Sequence, residues 1–180
     1  MSSGEVRYPY AVALPVAERL RELLAPACER IIIAGSVRRE KPDVGDVELV
    51  AIPKPAPSAW FNDGLDTYLQ AMLGAGTLSY RLNKKGSIQY GPSNKFLTDV
   101  ASGIPVDIFT ADARNYGIAL MVRTGPADLN VRMMSHFKAI GFKGYIYGVR
   151  NRQGEEQDCE TEEQVFRLLG WPFKQPKERV

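Results

Sequence analysis

Gly35-Ser36-Val37-Arg38-Arg39-Glu40-Lys41-Pro42-Asp43-Val44-Gly45-Asp46-Val47-Glu48-Leu49 joins a small-residue turn to an acidic strand. Ahead of it, residues 30–34 form a β-branched run, which predicts a buried strand feeding the Gly35-Ser36 turn. In residues 46–52, Asp46, Glu48 and Val50 point to one face of a second strand and Val47, Leu49 and Ala51 to the other. Pro53, Pro55 and Pro57 end it. A turn of this kind presents backbone N–H groups and a hydroxyl to a phosphate, and Arg38 and Arg39 follow closely enough to add cationic contacts. A third carboxylate, Asp107, interrupts an aliphatic strand over residues 104–110. Clustered carboxylates repel one another unless cations neutralise them, and hard oxygen ligands of this type select Mg²⁺ or Mn²⁺. Singly, a Gly-Ser turn is usually only a turn and an Asp-x-Glu strand a solvated face. Their order and spacing together argue for one phosphate-handling site.

Working outward, residues 15–24 have the spacing of an amphipathic helix, as do residues 62–73. Residues 77–90 predict a hairpin turning at Lys84, Lys85 and Gly86. After Asp112 the character changes to helices, over 116–122 and 128–140, then a strand and turn over 143–152. Thr161 and Gln164 form a capping-box pattern ahead of a last helix that Gly170 and Pro172 stop. The expected organisation is a catalytic domain over 1–112, with its N-terminal lead-in helix, and a nucleotide- and DNA-binding subdomain over 113–180. The fold class is α/β (α+β), with a mixed β-sheet flanked by helices and a small C-terminal helical and hairpin subdomain.

The 180 residues, 44% hydrophobic and 24% charged, exclude collagen-like and disordered classes. No apolar run reaches membrane-spanning length, and the first thirty residues lack a signal-peptide pattern, so the expectation is an intracellular, cytoplasmic protein with no membrane partner. Cys28 and Cys159 are too few for a disulfide framework, and with one histidine, His136, any catalytic metal falls to carboxylates. His136 sits beside Met133, Met134 and Phe137, which favours a packed or backbone-facing role. The net charge is only +2, yet residues 114–152 hold seven basic residues (Arg114, Arg123, Arg132, Lys138, Lys143, Arg150 and Arg152) against one acid, Asp128. Lys84, Lys85 and Lys95 form a second basic group. As a group these could follow a phosphate backbone. The acids from Glu155 to Glu163 are expected to serve structure. Tyr145 and Tyr147 are candidates for base stacking or for core.

The quoted stretch resembles the signature of the X-family DNA polymerases, within the polymerase-beta nucleotidyltransferase superfamily. The resemblance continues in Arg7-Tyr8-Pro9, in Val106-Asp107-Ile108, in Thr124-Gly125-Pro126, in Leu129-Asn130 through Gly141-Phe142, and in the tail containing Phe166-Arg167-Leu168-Leu169-Gly170-Trp171-Pro172-Phe173. It implies a nucleotidyltransferase palm and a DNA-directed DNA polymerase of short-gap-filling type that adds dNMP from dNTP to a primer 3′-hydroxyl. Asp46, Glu48 and Asp107 would be the catalytic carboxylates and the ligands of two Mg²⁺ ions, with Mn²⁺ able to substitute. Arg7, Gly35, Ser36, Arg39 and Gly45 match triphosphate contacts. Arg123, Thr124, Gly125 and Asn130 match positions around the sugar and base, while Lys84, Lys85, Arg132 and Lys138 are the expected DNA contacts. The implied partners are primer-template or gapped DNA and dNTP, with the protein a monomer.

Departures from the family pattern qualify these roles. Glu48 stands where Asp is usual, and Val122 and Arg123 where two aromatic residues precede Thr-Gly, which weakens the expected rejection of ribonucleotides. Met134 replaces a template-contacting arginine, and Pro105 an arginine that often orients the third carboxylate. The expectation is a minimal form similar to the viral, phage- or virus-encoded one, whose chain begins almost at the catalytic core without the helix-hairpin-helix lyase domain. Two alternatives share the same core: a nucleotidyltransferase acting on a small-molecule or protein hydroxyl, and a nucleic-acid-binding relative of weak catalysis.

Overall fold

The computed structural model describes residues 6–56, 63–145 and 148–179. The chain divides into two compact units, Met1–Thr110 and Ala111–Val180. The first runs β1 (Tyr8–Pro9), α1 (Tyr10–Leu24), β2 (Cys28–Ile33), α2 (Gly35–Arg38), β3 (Asp43–Val44), β4 (Val47–Pro53), α3 (Gly64–Gly74), β5 (Leu78–Tyr80), β6 (Asn94–Asp99) and β7 (Pro105–Thr110). Its main sheet has the order β2-β4-β7-β6-β5. Only β4 and β7 run parallel in it; the other three pairings are antiparallel.

Helix α1 begins five residues ahead of the sequence expectation and carries Pro15 inside it. Pro15 removes one backbone donor, but it is exposed, while Ala13, Ala17, Leu20 and Leu24 recur on the opposite, buried side. That apolar stripe outweighs a single lost bond. Asp63 caps α3 by accepting from the Asp66 N–H at 2.7 Å; the expected start at Asn62 lies outside the described residues. Leu65 and Leu69 of α3 join the α1 residues against Val47, Leu49, Ala51, Leu97, Val106 and Ile108 in one core. The helices thus cover one face of the sheet.

The hairpin expected over 77–90 forms only around its turn, and its first arm pairs elsewhere. β5 pairs with β6, Leu78 opposite Asp99, and an isolated bridge between Leu82 and Ile88 closes the Lys84-Lys85-Gly86 turn. β6 was not expected because two of its inward positions are charged. Lys95, wholly buried, donates from Nζ to the Gly91 and Pro92 carbonyls at 3.1 Å each. It therefore leaves the group of surface cations to which its position near the hairpin had assigned it. Burial pushes the Lys95 pKa down, against the opposing pull of Asp63 and Asp66. Asp99 takes a 2.7 Å bond from Arg19 and a 2.6 Å bond from the Ser102 hydroxyl. Burial alone would raise its pKa, but the bonds from Ser102 and Arg19 outweigh burial and hold it below 3.8.

The second unit comprises α4 (Tyr116–Thr124), α5 (Ala127–Ala139), β8 (Lys143–Tyr145), β9 (Gly148–Arg150) and α6 (Glu162–Leu169). Ile118, Met121, Leu129, Met133, Phe137, Val149, Val165, Phe166 and Leu169 make its core. The capping box at Thr161 and Gln164 is formed, and α6 ends at Gly170. Arg179, buried, donates to Glu162 Oε1 at 2.6 Å and lies over the Phe166 and Phe173 rings. Gly117 is where α4 meets the segment before α6: its N–H donates to the Cys159 carbonyl at 2.6 Å. A β-carbon there would fall 2.2 Å from the Thr161 carbonyl carbon.

Two outcomes follow for stability. Gly117→Ala drives a methyl group into backbone, and urea unfolding should show a loss of about 2 kcal/mol or more. Arg19→Ala should cost roughly 1–3 kcal/mol at neutral pH by removing a charge-assisted bond from a buried carboxylate. Because the folded-state pKa of Asp99 is depressed, its contribution is present above 3.8 and is lost as pH falls through the lower folded value. The difference between wild type and Arg19→Ala should therefore shrink in acid; a gap independent of pH would contradict the assignment.

Candidate active site

The sheet face opposite the α1 and α3 core carries Glu48 and Asp107, two of the expected carboxylates. Glu48 and Asp107 are register partners in the parallel β4–β7 pair, so their side chains leave the same face on strands about 4.8 Å apart. Asp46 lies immediately before β4, two residues from Glu48. Register thus sets Glu48 beside Asp107, while Asp46 is tied to them only by its place two residues before Glu48 in the chain.

Each carboxylate has its own engagement. Asp107, only 8% exposed, accepts a 2.5 Å bond from Arg81 Nη2. Glu48 reaches the turn: a β-carbon on Gly35 would lie 1.8 Å from Glu48 Oε2, so the carboxylate fills the space a side chain at 35 would need. Gly35 has φ +64°, which L side chains disfavour as well. Among the described residues, no three His, Cys, Asp or Glu side chains are gathered as a metal would gather them. The donor set is nevertheless the right chemistry for a hard divalent cation: carboxylates only, adjacent in register and partly shielded from water.

Around this patch, β1 pairs with β3, Tyr8 opposite Val44, which brings Arg7 beside Gly45; a β-carbon on Gly45 would stand 3.7 Å from Arg7 Nη1. Ser36 and Arg39 sit on and just after the single turn of α2, both half-buried. The Ser36 carbonyl accepts from Lys41 at 3.1 Å and closes the loop back toward β3.

In the second unit, Arg123, Thr124 and Gly125 form the C-terminal end of α4, with Thr124 buried. Asn130, early in α5, donates from Nδ2 to the Val122 carbonyl at 2.8 Å and so ties the two helices together. Arg132 and Lys138 are exposed on α5, as are Lys84 and Lys85 at the hairpin turn of the first unit. Several acids of the tail have partners within their own unit. Arg114 pairs with Asp158 and Arg150 with Glu156, each at 2.7 Å. Tyr145 donates to Glu156. That bond, followed by the one from Arg150, holds the Glu156 pKa below the usual carboxylate range. Tyr145 is thereby assigned to local structure, while Tyr147 lies outside the described residues. The basic segment is thus thinner than its count suggested. His136 places Nε2 2.9 Å from the Leu169 carbonyl, with its ring 5.1 Å from that of Trp171, as its neighbours implied. Both thiols are buried, and burial pushes Cys28 up to about 11 and Cys159 up to about 12.

Sequence reasoning missed Arg81. It lies in the stretch taken as a hairpin arm, and no local pattern signals that its partner is two strands away.

The mixed sheet and the helical unit that follows it in the chain match the polymerase beta fold. Residues 119–180 match the family described as DNA polymerase beta thumb. The chain as a whole is similar to the polymerase beta of Leishmania infantum, solved as a ternary P/T complex, with a TM-score of 0.77 at 18% identity over 97% of this chain and 77% of that one. No curated protein sequence matches the chain. Among the described residues no helix is long and apolar enough to cross a membrane.

Gly35→Ala should cost roughly 1–2 kcal/mol from the left-handed backbone alone and more from displacing Glu48. Gly45→Ala, whose added methyl meets only ordinary contact, should melt near the wild-type temperature. Equal melting temperatures for the two variants would show that the Gly35–Glu48 approach is not a constraint.

Proposed function

We propose that the protein is a metal-dependent DNA-directed nucleotidyltransferase that adds dNMP from dNTP to a primer 3′-hydroxyl, releasing pyrophosphate, in short-gap filling. The register partnership of Glu48 and Asp107 is the observation that carries this reading; the thumb-family match of residues 119–180 and the fold support it.

Two Mg²⁺ or Mn²⁺ ions held by Asp46, Glu48 and Asp107 would neutralise the triphosphate and favour ionisation of the primer hydroxyl. The protein's own part is positioning. Ser36 offers a hydroxyl, and Arg7 and Arg39 offer charge, to the triphosphate beside the Gly35 and Gly45 backbone. Asp107 faces the primer hydroxyl, which attacks the α-phosphorus as the bond to pyrophosphate breaks; orientation and charge compensation do most of the work in such transfers. Lys84, Lys85, Arg132 and Lys138 would meet the DNA backbone.

Primer extension with Mg²⁺ or Mn²⁺, dNTPs and gapped, nicked or single-stranded DNA tests the reading; absence of extension with every substrate and metal overturns it. Asp107→Ala should reduce turnover by at least about 10²-fold while DNA binding persists. The double variant Lys84→Ala/Lys85→Ala should weaken DNA binding and lower the magnitude of its log–log salt slope by about 1–2. With Val122 and Arg123 in place of an aromatic pair, comparable specificity constants for dNTP and rNTP are expected, and strong rejection of rNTP would refute that point.

A further inference from the structure

Asp107 has no cation on its own strand: its same-face neighbours along β7 are Pro105 and Phe109. A cation reaches it from the far side of β6 instead. The Arg81 N–H donates to the Phe96 carbonyl at 3.1 Å, and Phe96 is the register partner of Asp107, so the three residues stand in a row across the sheet. The Arg81 guanidinium lies 5.2 Å from the centroid of the Phe96 ring and places Nη2 2.5 Å from Asp107 Oδ1. Phe109 braces that ring edge-on at 6.0 Å. Both charged side chains are largely withdrawn from water.

From this row we infer that Arg81 is a positioning residue for Asp107, an inference that rests on the metal-site reading above. A guanidinium is always charged and planar, and stacking on an aromatic face fixes its plane. Its bond therefore sets the rotation of the Asp107 carboxylate beside Glu48, as outer-shell partners do for ligating carboxylates. A lysine here could supply the charge but neither the stacking nor the planar fork. If Arg81 were only a staple between strands, its loss would change stability and leave the affinity of the folded protein for metal unaltered.

The test is Mn²⁺ binding followed by electron paramagnetic resonance, without nucleotide or DNA, on wild type, Asp107→Ala, Arg81→Ala and Arg81→Lys, with folding checked by circular dichroism. Arg81→Ala should bind Mn²⁺ at the Asp107-dependent site roughly 10-fold more weakly, with Arg81→Lys intermediate. In extension assays the same variants should lose kcat with little change in KM for dNTP, because Asp107 is assigned to the primer hydroxyl. Arg81→Ala or a folded Arg81→Lys binding Mn²⁺ as tightly as wild type, or more tightly, overturns this inference alone. A wild type without Asp107-dependent Mn²⁺ binding overturns the metal-site reading and this inference with it.

Discussion

The parallel pairing of β4 with β7 is the constraint on which the first unit's site depends. Parallel strands set same-face residues side by side at regular intervals, and the pairing of Glu48 with Asp107 puts two acidic positions next to each other. A slip of one residue would send Val47 or Leu49 to the polar face and an acid into the core. That slip is opposed by the opposite face, where Val47, Leu49, Ala51, Val106 and Ile108 are all wholly buried beneath α1 and α3. The apolar packing that stabilises the sheet thus also fixes the relative positions of the carboxylates, although none of the core residues touches the chemistry.

Register brings like charges together, and the surrounding residues temper the repulsion. Arg81 answers Asp107 through a short bond shielded from water. Glu48, a methylene longer than an aspartate, extends to the Gly35 turn and occupies volume that only glycine leaves open. The turn and the acidic strand are therefore one unit: the conformation of Gly35 and the length of Glu48 are mutually required. This coupling gives a physical reason for Glu at position 48, since a shorter acid would not reach the same place.

Much of this arrangement was legible in the sequence, and the parts that were not share a cause. Alternation over residues 46–52 assigned Val47 through Ala51 of β4 to their faces, and the Thr161–Gln164 pattern located the start of α6, because in both cases the signal is local. β6 was illegible because Lys95 and Asp99 point inward; their charges are satisfied by the Gly91 and Pro92 carbonyls and by Arg19, partners whose positions depend on the finished fold. Arg81 was hidden for the same reason, its role being defined by residues on β6 and β7. Pro15 misled in the other direction, since a local breaking rule lost to a buried stripe of four residues.

The near-neutral charge is explained by the same distinction between count and placement. Several arginines that inflate the basic total are matched within their own unit: Arg114 by Asp158, Arg150 by Glu156, and Arg179 by the buried Glu162. Lys95 is enclosed. Such pairs contribute little field at a distance, because the opposite charge lies within a few ångströms while salt screens beyond about 10 Å. What remains exposed at the turn of the first unit and along α5 of the second is Lys84, Lys85, Arg132 and Lys138. Arg132 stands 3.8 Å from Asp128 in an i,i+4 pair that solvent weakens. At these two places the net charge of +2 understates the local field, while the count of 23 basic residues overstates what is open to a polyanion.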